Sequence, residues 1–218
     1  MRYRLDSKGA TTMTSITIIG TGDMALGIGM RAVSAGNQVQ ILSRNLSKAT
    51  ALAVELRAIV PGTTGDIPTG DIVILAVPYD AAAALVADYG DALNGKVIVD
   101  ITNPIDSSTM TGLTVPPGSS GAEEIAKVAP AGVPVVKAFN TTFSATLMPG
   151  ENQQLDVFLA GDDPDAKAML TSFIRSMGMR PLDVGPLPMA RWLEGLGLLT
   201  LTLAIQREDF ESAIKLID

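Results

Sequence analysis

The stretch "ITIIGTGDMALGIGMRA", residues 16–32, begins as a β-branched apolar run, passes two closely spaced glycines and continues in a helix-like pattern. Its spacing is Gly20-x-Gly22-x-x-Ala25. In a strand–turn–helix unit each small residue has its own task. The first permits the tight turn, the second lets a pyrophosphate approach the backbone, and the third lets helix and strand pack closely. The helix N-terminus then presents unpaired N–H groups and the positive end of its dipole. A pattern this short recurs by chance, so its weight comes from the preceding strand and the following helix. The segment predicts a dinucleotide phosphate cradle made by Gly20, Thr21, Gly22, Asp23, Met24 and Ala25.

Outward from this turn, short apolar runs alternate with longer alanine-rich ones. "SITIIG" (15–20), "QVQILS" (38–43), "DIVILAV" (71–77), "KVIVDIT" (96–102) and "PVVKAFN" (134–140) read as strands buried on both faces. Residues 23–36, 46–60, 79–93 and 120–130 read as crossover helices. Further strands are expected at 155–161 and 180–185, around a helix at 164–177, with a last helix near 189–206. The alternation predicts an α/β Rossmann-type, doubly wound, mainly parallel sheet with a short C-terminal helical extension. The domain reading is a disordered lead-in over 1–13, a dinucleotide-binding domain over 14–185 and a helical segment over 186–218.

Composition narrows the chemistry. The 218 residues include no cysteine and no histidine, which removes thiolate nucleophiles, most zinc sites and every imidazole acid–base mechanism. A net charge of −7 argues against nucleic acid as a partner. The apolar run "LGLLTLTLAI" at 196–205 is far shorter than the roughly 20 residues a membrane-spanning helix needs. The expectation is a cytoplasmic protein. Asp162, Asp163 and Asp165 read as a helix cap and first turn, and no metal site is expected.

NAD-binding domains usually place an acidic residue at the end of the second strand, where it holds the ribose 2′-hydroxyl. Here "ILSRNLSK" puts Ser43 and Arg44 at that place, with Lys48 nearby, which favours the 2′-phosphate of NADP(H). "AVPYD" (76–80) and "DITNP" (100–104) close two strands toward the same crevice, nominating Ala76, Val77, Pro78 and Asn103 as cofactor contacts. Ordinary strand termination explains the prolines there equally well.

Known dehydrogenase chemistries then fall away. Short-chain enzymes need Tyr-x-x-x-Lys, but Ser7, Ala83 and Leu93 follow the three tyrosines at that spacing. Lactate-type enzymes need histidine, and aldehyde dehydrogenases need cysteine. Hydride transfer between two stacked rings needs neither, because the cofactors carry the chemistry and the protein holds them together and excludes water.

The glycine loop, "LSRN" (42–45), "AVPYD", "VVKAFNTTFSATL" (135–147), "FLAGDDPDAK" (158–167) and "MRPLDVGPLPMARWLE" (179–194) together resemble the NADPH-dependent coenzyme F420 reductase family. "VVKAFNT" and "GDDPDAK" are also similar to the NADPH domain of the six-transmembrane metalloreductases. The resemblance implies a nicotinamide stacked on a deazaflavin at the carboxyl ends of the strands. It places Ala138 and Asn140 among the cofactor contacts, and Asn103, Asn140, Thr141 and Thr142 around the transfer pocket. Deazaflavin reductases tend to carry histidine where this chain has Asn140, which opens the acceptor to a flavin or another small molecule.

Lys137 and Arg191 are the candidate cations for an anionic coenzyme tail, with a structural ion pair and a solvated surface charge as the alternatives. Leu193, Leu196, Leu199 and Leu203 give the last helix more apolar surface than a solvated terminus needs, so it closes the pocket or forms a homodimer contact. Two functions remain open: an NADP-dependent oxidoreductase acting on a small-molecule acceptor, and a non-catalytic NADPH-binding sensor.

Overall fold

A computed structural model of the chain describes residues 14–57, 60–148 and 154–217. The expected lead-in over 1–13 lies outside these. Eight strands form one sheet: β1 (Ser15–Ile19), β2 (Gln38–Ser43), β3 (Val60–Thr63), β4 (Ile72–Leu75), β5 (Val97–Asp100), β6 (Val135–Ala138), β7 (Asp156–Gly161) and β8 (Arg180–Asp183). Their order is β3-β2-β1-β4-β5-β6-β7-β8, and every pairing is parallel except β6 with β7. The fold is the expected α/β Rossmann type.

Side-chain alternation divides the core. Ile16 and Ile18 of β1, Ile72 and Ile74 of β4, and Val97 and Val99 of β5 face one cluster. It holds Ile28 of α1 (Asp23–Ser34), Leu52 of α2 (Leu46–Leu56) and Phe173 of α6 (Pro164–Ser176). Ile19, Val73, Leu75 and Ile98 face the other, with Val86 of α3 (Tyr79–Tyr89), Ile125 of α4 (Gly121–Val128) and Ala190 of α7 (Ala190–Arg207). Both faces of the sheet are therefore covered, which is why apolar residues fall on both faces of the central strands rather than at every second position.

The sequence reading needs correction at two places. The helix expected over 46–60 stops at Leu56, because Arg57 takes a left-handed conformation (φ 51°). "VPGT" then forms β3, which pairs only with β2 and so tolerates Pro61 as an edge strand does. The helix expected over 79–93 ends at Tyr89, and its last turn winds more tightly over Gly90–Leu93. Between β6 and β7 the helical structure among the described residues is the single turn α5 (Ser144–Leu147), and β7 returns antiparallel, which a mainly parallel sheet accommodates.

Candidate active site

The order reverses between β1 and β4, and the crevice opens beyond their carboxyl ends, where open α/β sheets bind ligands. Gly20 donates its N–H to the Leu42 carbonyl at 2.8 Å and adopts φ 131°. Gly22 precedes α1 as its cap residue, and nothing stands within 4 Å of where a Cβ would project. This open cradle against backbone N–H groups suits a pyrophosphate. Ala25 is fully buried under the turn, and Asp23 sits exposed in the first turn of α1.

A cleft of about 270 Å³ is lined by Gly20, Thr21, Gly22, Ser43, Arg44, Ala76, Val77 and Pro78, together with Ile19, Thr64, Ala81 and Leu85. It thus brings together the glycine turn, the end of β2 and the end of β4. Ser43 accepts the Asn45 N–H at 3.2 Å, and Asn45 in turn caps α2 by accepting the Lys48 N–H at 3.1 Å. No carboxylate lines the cleft among the described residues, so a phosphate beside Arg44 meets a guanidinium and no repelling acid. Lys48 lies exposed on the first turn of α2, outside this lining, and Ala138 is fully buried in the core. Thr64 is a lining residue that the sequence does not announce, because the pattern predicts a helix only up to residue 60 and no strand over the residues of β3 that deliver it.

A second cleft, of about 190 Å³, is lined by Met24, Asn103, Asn140, Thr141, Thr142, Phe143, Ser144, Gly197, Thr200 and Leu201. It brings Asn103 of the β5 end beside the three residues nominated after β6. The clefts adjoin across the start of α1, with Gly22 on one and Met24 on the other. Phe139 turns the chain into this cleft with φ 60°, a conformation that costs a bulky residue energy and is held here by complete burial.

The two asparagines lock each other. Asn140 Nδ2 donates to Asn103 Oδ1 and to the Leu193 carbonyl, both at 2.9 Å, while Asn103 Nδ2 donates to the Asn140 carbonyl at 2.7 Å. Asn140 Oδ1 is left as a buried acceptor without a partner among the described residues. No ionisable side chain lines this cleft among the described residues.

Neither proposed tail cation is here. Lys137 Nζ is buried and donates to Asp100 Oδ2 at 2.8 Å, to Glu194 Oε1 at 2.7 Å and to the Thr102 carbonyl. Arg191 is exposed, its guanidinium 5.2 Å from the Trp192 ring centroid. Glu194, which the sequence reading overlooked, also accepts the Gly121 N–H at 3.0 Å and so caps α4. Burial pushes its carboxyl above the usual carboxylate range, and Lys137 and the Gly121 N–H pull it back in part. A glutamate between Leu193 and Gly195 in an otherwise apolar helical stretch is the one available signal for such a buried acid.

The NADP oxidoreductase, coenzyme F420-dependent family model matches residues 15–104. The F420-dependent NADP reductase of Methanothermobacter thermautotrophicus is 30% identical over 219 residues, covering 94% of each chain. The chain belongs to the F420-dependent NADP oxidoreductase family. It is thereby an NADP-dependent oxidoreductase, and the open glycine cradle and Arg44 fit NADP(H). Metalloreductase STEAP3 of Rattus norvegicus is 32% identical over 187 residues, but these make up 85% of this chain and only 37% of that one. Among the described residues no helix is long and apolar enough to cross a membrane. A solved structure from Arthrobacter sp. FB24 shares the fold with a TM-score of 0.80, at 24% identity over 94% of this chain and all of that one.

Proposed function

We propose that this family member transfers hydride between NADP(H) in the first cleft and a deazaflavin (coenzyme F420) or flavin ring in the second. The observation that carries this reading is the pairing of the clefts across the first turn of α1, the second of them a largely apolar cleft edged by amides and hydroxyls and without an ionisable side chain. When bound, the nicotinamide supplies or accepts the hydride at its C4. The residues of the chain act by position. Gly20, Thr21 and Gly22 hold the pyrophosphate, Ser43 and Arg44 take the 2′-phosphate, and Ala76–Pro78 flank the cofactor. Asn103, Asn140, Thr141 and Thr142 frame the transfer site, where the hydroxyls and amides orient neutral ring edges. α7 covers the site through Gly197, Thr200 and Leu201 and excludes water.

The opposite face of α7 carries Trp192, Leu199 and Leu203, which are 64%, 68% and 50% exposed and lie within one helical stripe. Its apolar area fits a second copy of the chain, and the reading includes a homodimer in the cytoplasm.

The test is turnover: NADPH is mixed in turn with coenzyme F420, FMN, FAD and riboflavin, and its absorbance band is followed. Oxidation with a deazaflavin or flavin supports the reading. Tight NADPH binding without oxidation by any of them overturns it in favour of another acceptor or a sensor.

A further inference from the structure

α7 has a register problem. Leu193 packs inward with the small Ala190 and Ala204 while Leu199, Leu203 and Ile205 face outward, so hydrophobic burial alone fixes its rotation and its height above the sheet only loosely. The polar contacts fix both. Glu194 reaches down to Lys137 at 2.7 Å and across to the first N–H of α4 at 3.0 Å. Lys137 is anchored in turn to Asp100 on β5. The residue before Glu194 supplies the carbonyl that accepts Asn140 Nδ2, and one turn later Gly197 lies against Asn103, where a Cβ would stand 2.6 Å from Oδ1.

The geometry points to Lys137 and Glu194 as positioning residues: their buried ion pair sets the register of α7, and through it the orientation of the Asn140 amide and the width of the transfer cleft. This rests on the proposed hydride transfer only for its kinetic consequence. A buried ion pair gives little net stability over apolar packing, whereas fixing one arrangement among several is its best-attested use. Both hydrogens of the Asn140 amide are spent, on Leu193 and on Asn103. A flipped amide would set Oδ1 against the Leu193 carbonyl, so the amide faces one way only while α7 stays at its present height.

Glu194→Gln tests this. In either rotamer it sets an amide N–H against Lys137 or against the α4 N-terminus, with almost no change of volume. Three readouts are expected. The NADPH Kd stays within about twofold, the single-turnover hydride-transfer rate falls at least about tenfold, and the Asn140 carboxamide protons lose their slow exchange by NMR. Should the variant not fold, Glu194→Asp, which keeps the charge on a shorter arm, carries the same readouts. Wild-type rates with a protected Asn140 amide overturn the inference. So does a fall of NADPH affinity and rate in parallel with melting temperature while that amide stays protected. If the wild-type protein reduces no acceptor, the proposed function fails, and the amide exchange still decides the positioning role.

Discussion

A Cβ on Gly20 would lie 1.9 Å from the carbonyl oxygen of Ala76, so the turn after β1 and the end of β4 are in backbone contact. Gly20→Ala has no side-chain escape, because the obstacle is main chain and φ is 131°. The dihedral alone costs about 1–3 kcal/mol. The expected result is a lower melting temperature together with loss of NADPH binding, measured by thermal denaturation and by fluorescence titration.

Arg44 stands at the end of β2, on the lining of the first cleft. Arg44→Ala is expected to weaken NADPH binding by about 1–3 kcal/mol, the scale of a lost charge-assisted hydrogen bond, and to leave NADH nearly unchanged. Parallel titrations with the two cofactors check this. Equal losses would mean that Arg44 does not read the 2′-phosphate.

How much of this was legible in the sequence depends on the range of the cause. The glycine turn and the apolar strands are local consequences of backbone sterics and two-sided burial, and they read directly. The edge strand β3 did not, because "VPGT" becomes a strand only by pairing with β2. Family resemblance, rather than any local pattern, brought Thr141 and Thr142 together with Asn103. Glu194, Gly197 and Thr200 come to the site only through the docking of α7, which the leucine spacing announces as one of two alternatives without saying which residues of the helix face the cleft. Lys137 was visible as a charge inside an apolar strand, but its two carboxylate partners come from positions 100 and 194.

Asp156 accepts Arg180 Nε at 2.8 Å and Nη2 at 2.7 Å, and also the Leu216 N–H at 2.7 Å, which ties the C-terminal segment to β7. These bonds, led by Arg180, hold its carboxyl below the usual range. A carboxylate depressed in the folded state stabilises above its unfolded value of about 3.9, and that contribution is lost as pH falls through the folded value. Asp156→Asn is expected to cost about 1.5–3 kcal/mol near neutral pH. It should flatten the acid side of the plot of melting temperature against pH, as followed by calorimetry.

Leu199 heads the exposed stripe on α7, away from both clefts. Leu199→Glu is expected to convert a dimer into a monomer by light scattering while changing fold stability by no more than about 0.5 kcal/mol. A wild-type mass equal to one chain would remove the second copy as the occupant of that face.

The second cleft offers no titrating side chain among the described residues, so the hydride transfer proposed for it would depend on distance and orientation rather than on a protein acid or base. With riboflavin as acceptor, the single-turnover rate is expected to stay level from about pH 6 to about pH 9, since general acid–base catalysis would announce itself as a limb in that profile. Thr142→Val, which keeps the shape and removes the hydroxyl, should then lower the rate without introducing any pH dependence. A limb in the wild-type profile that vanishes in a variant of one ionisable residue would instead place that residue in the proton inventory of the reaction.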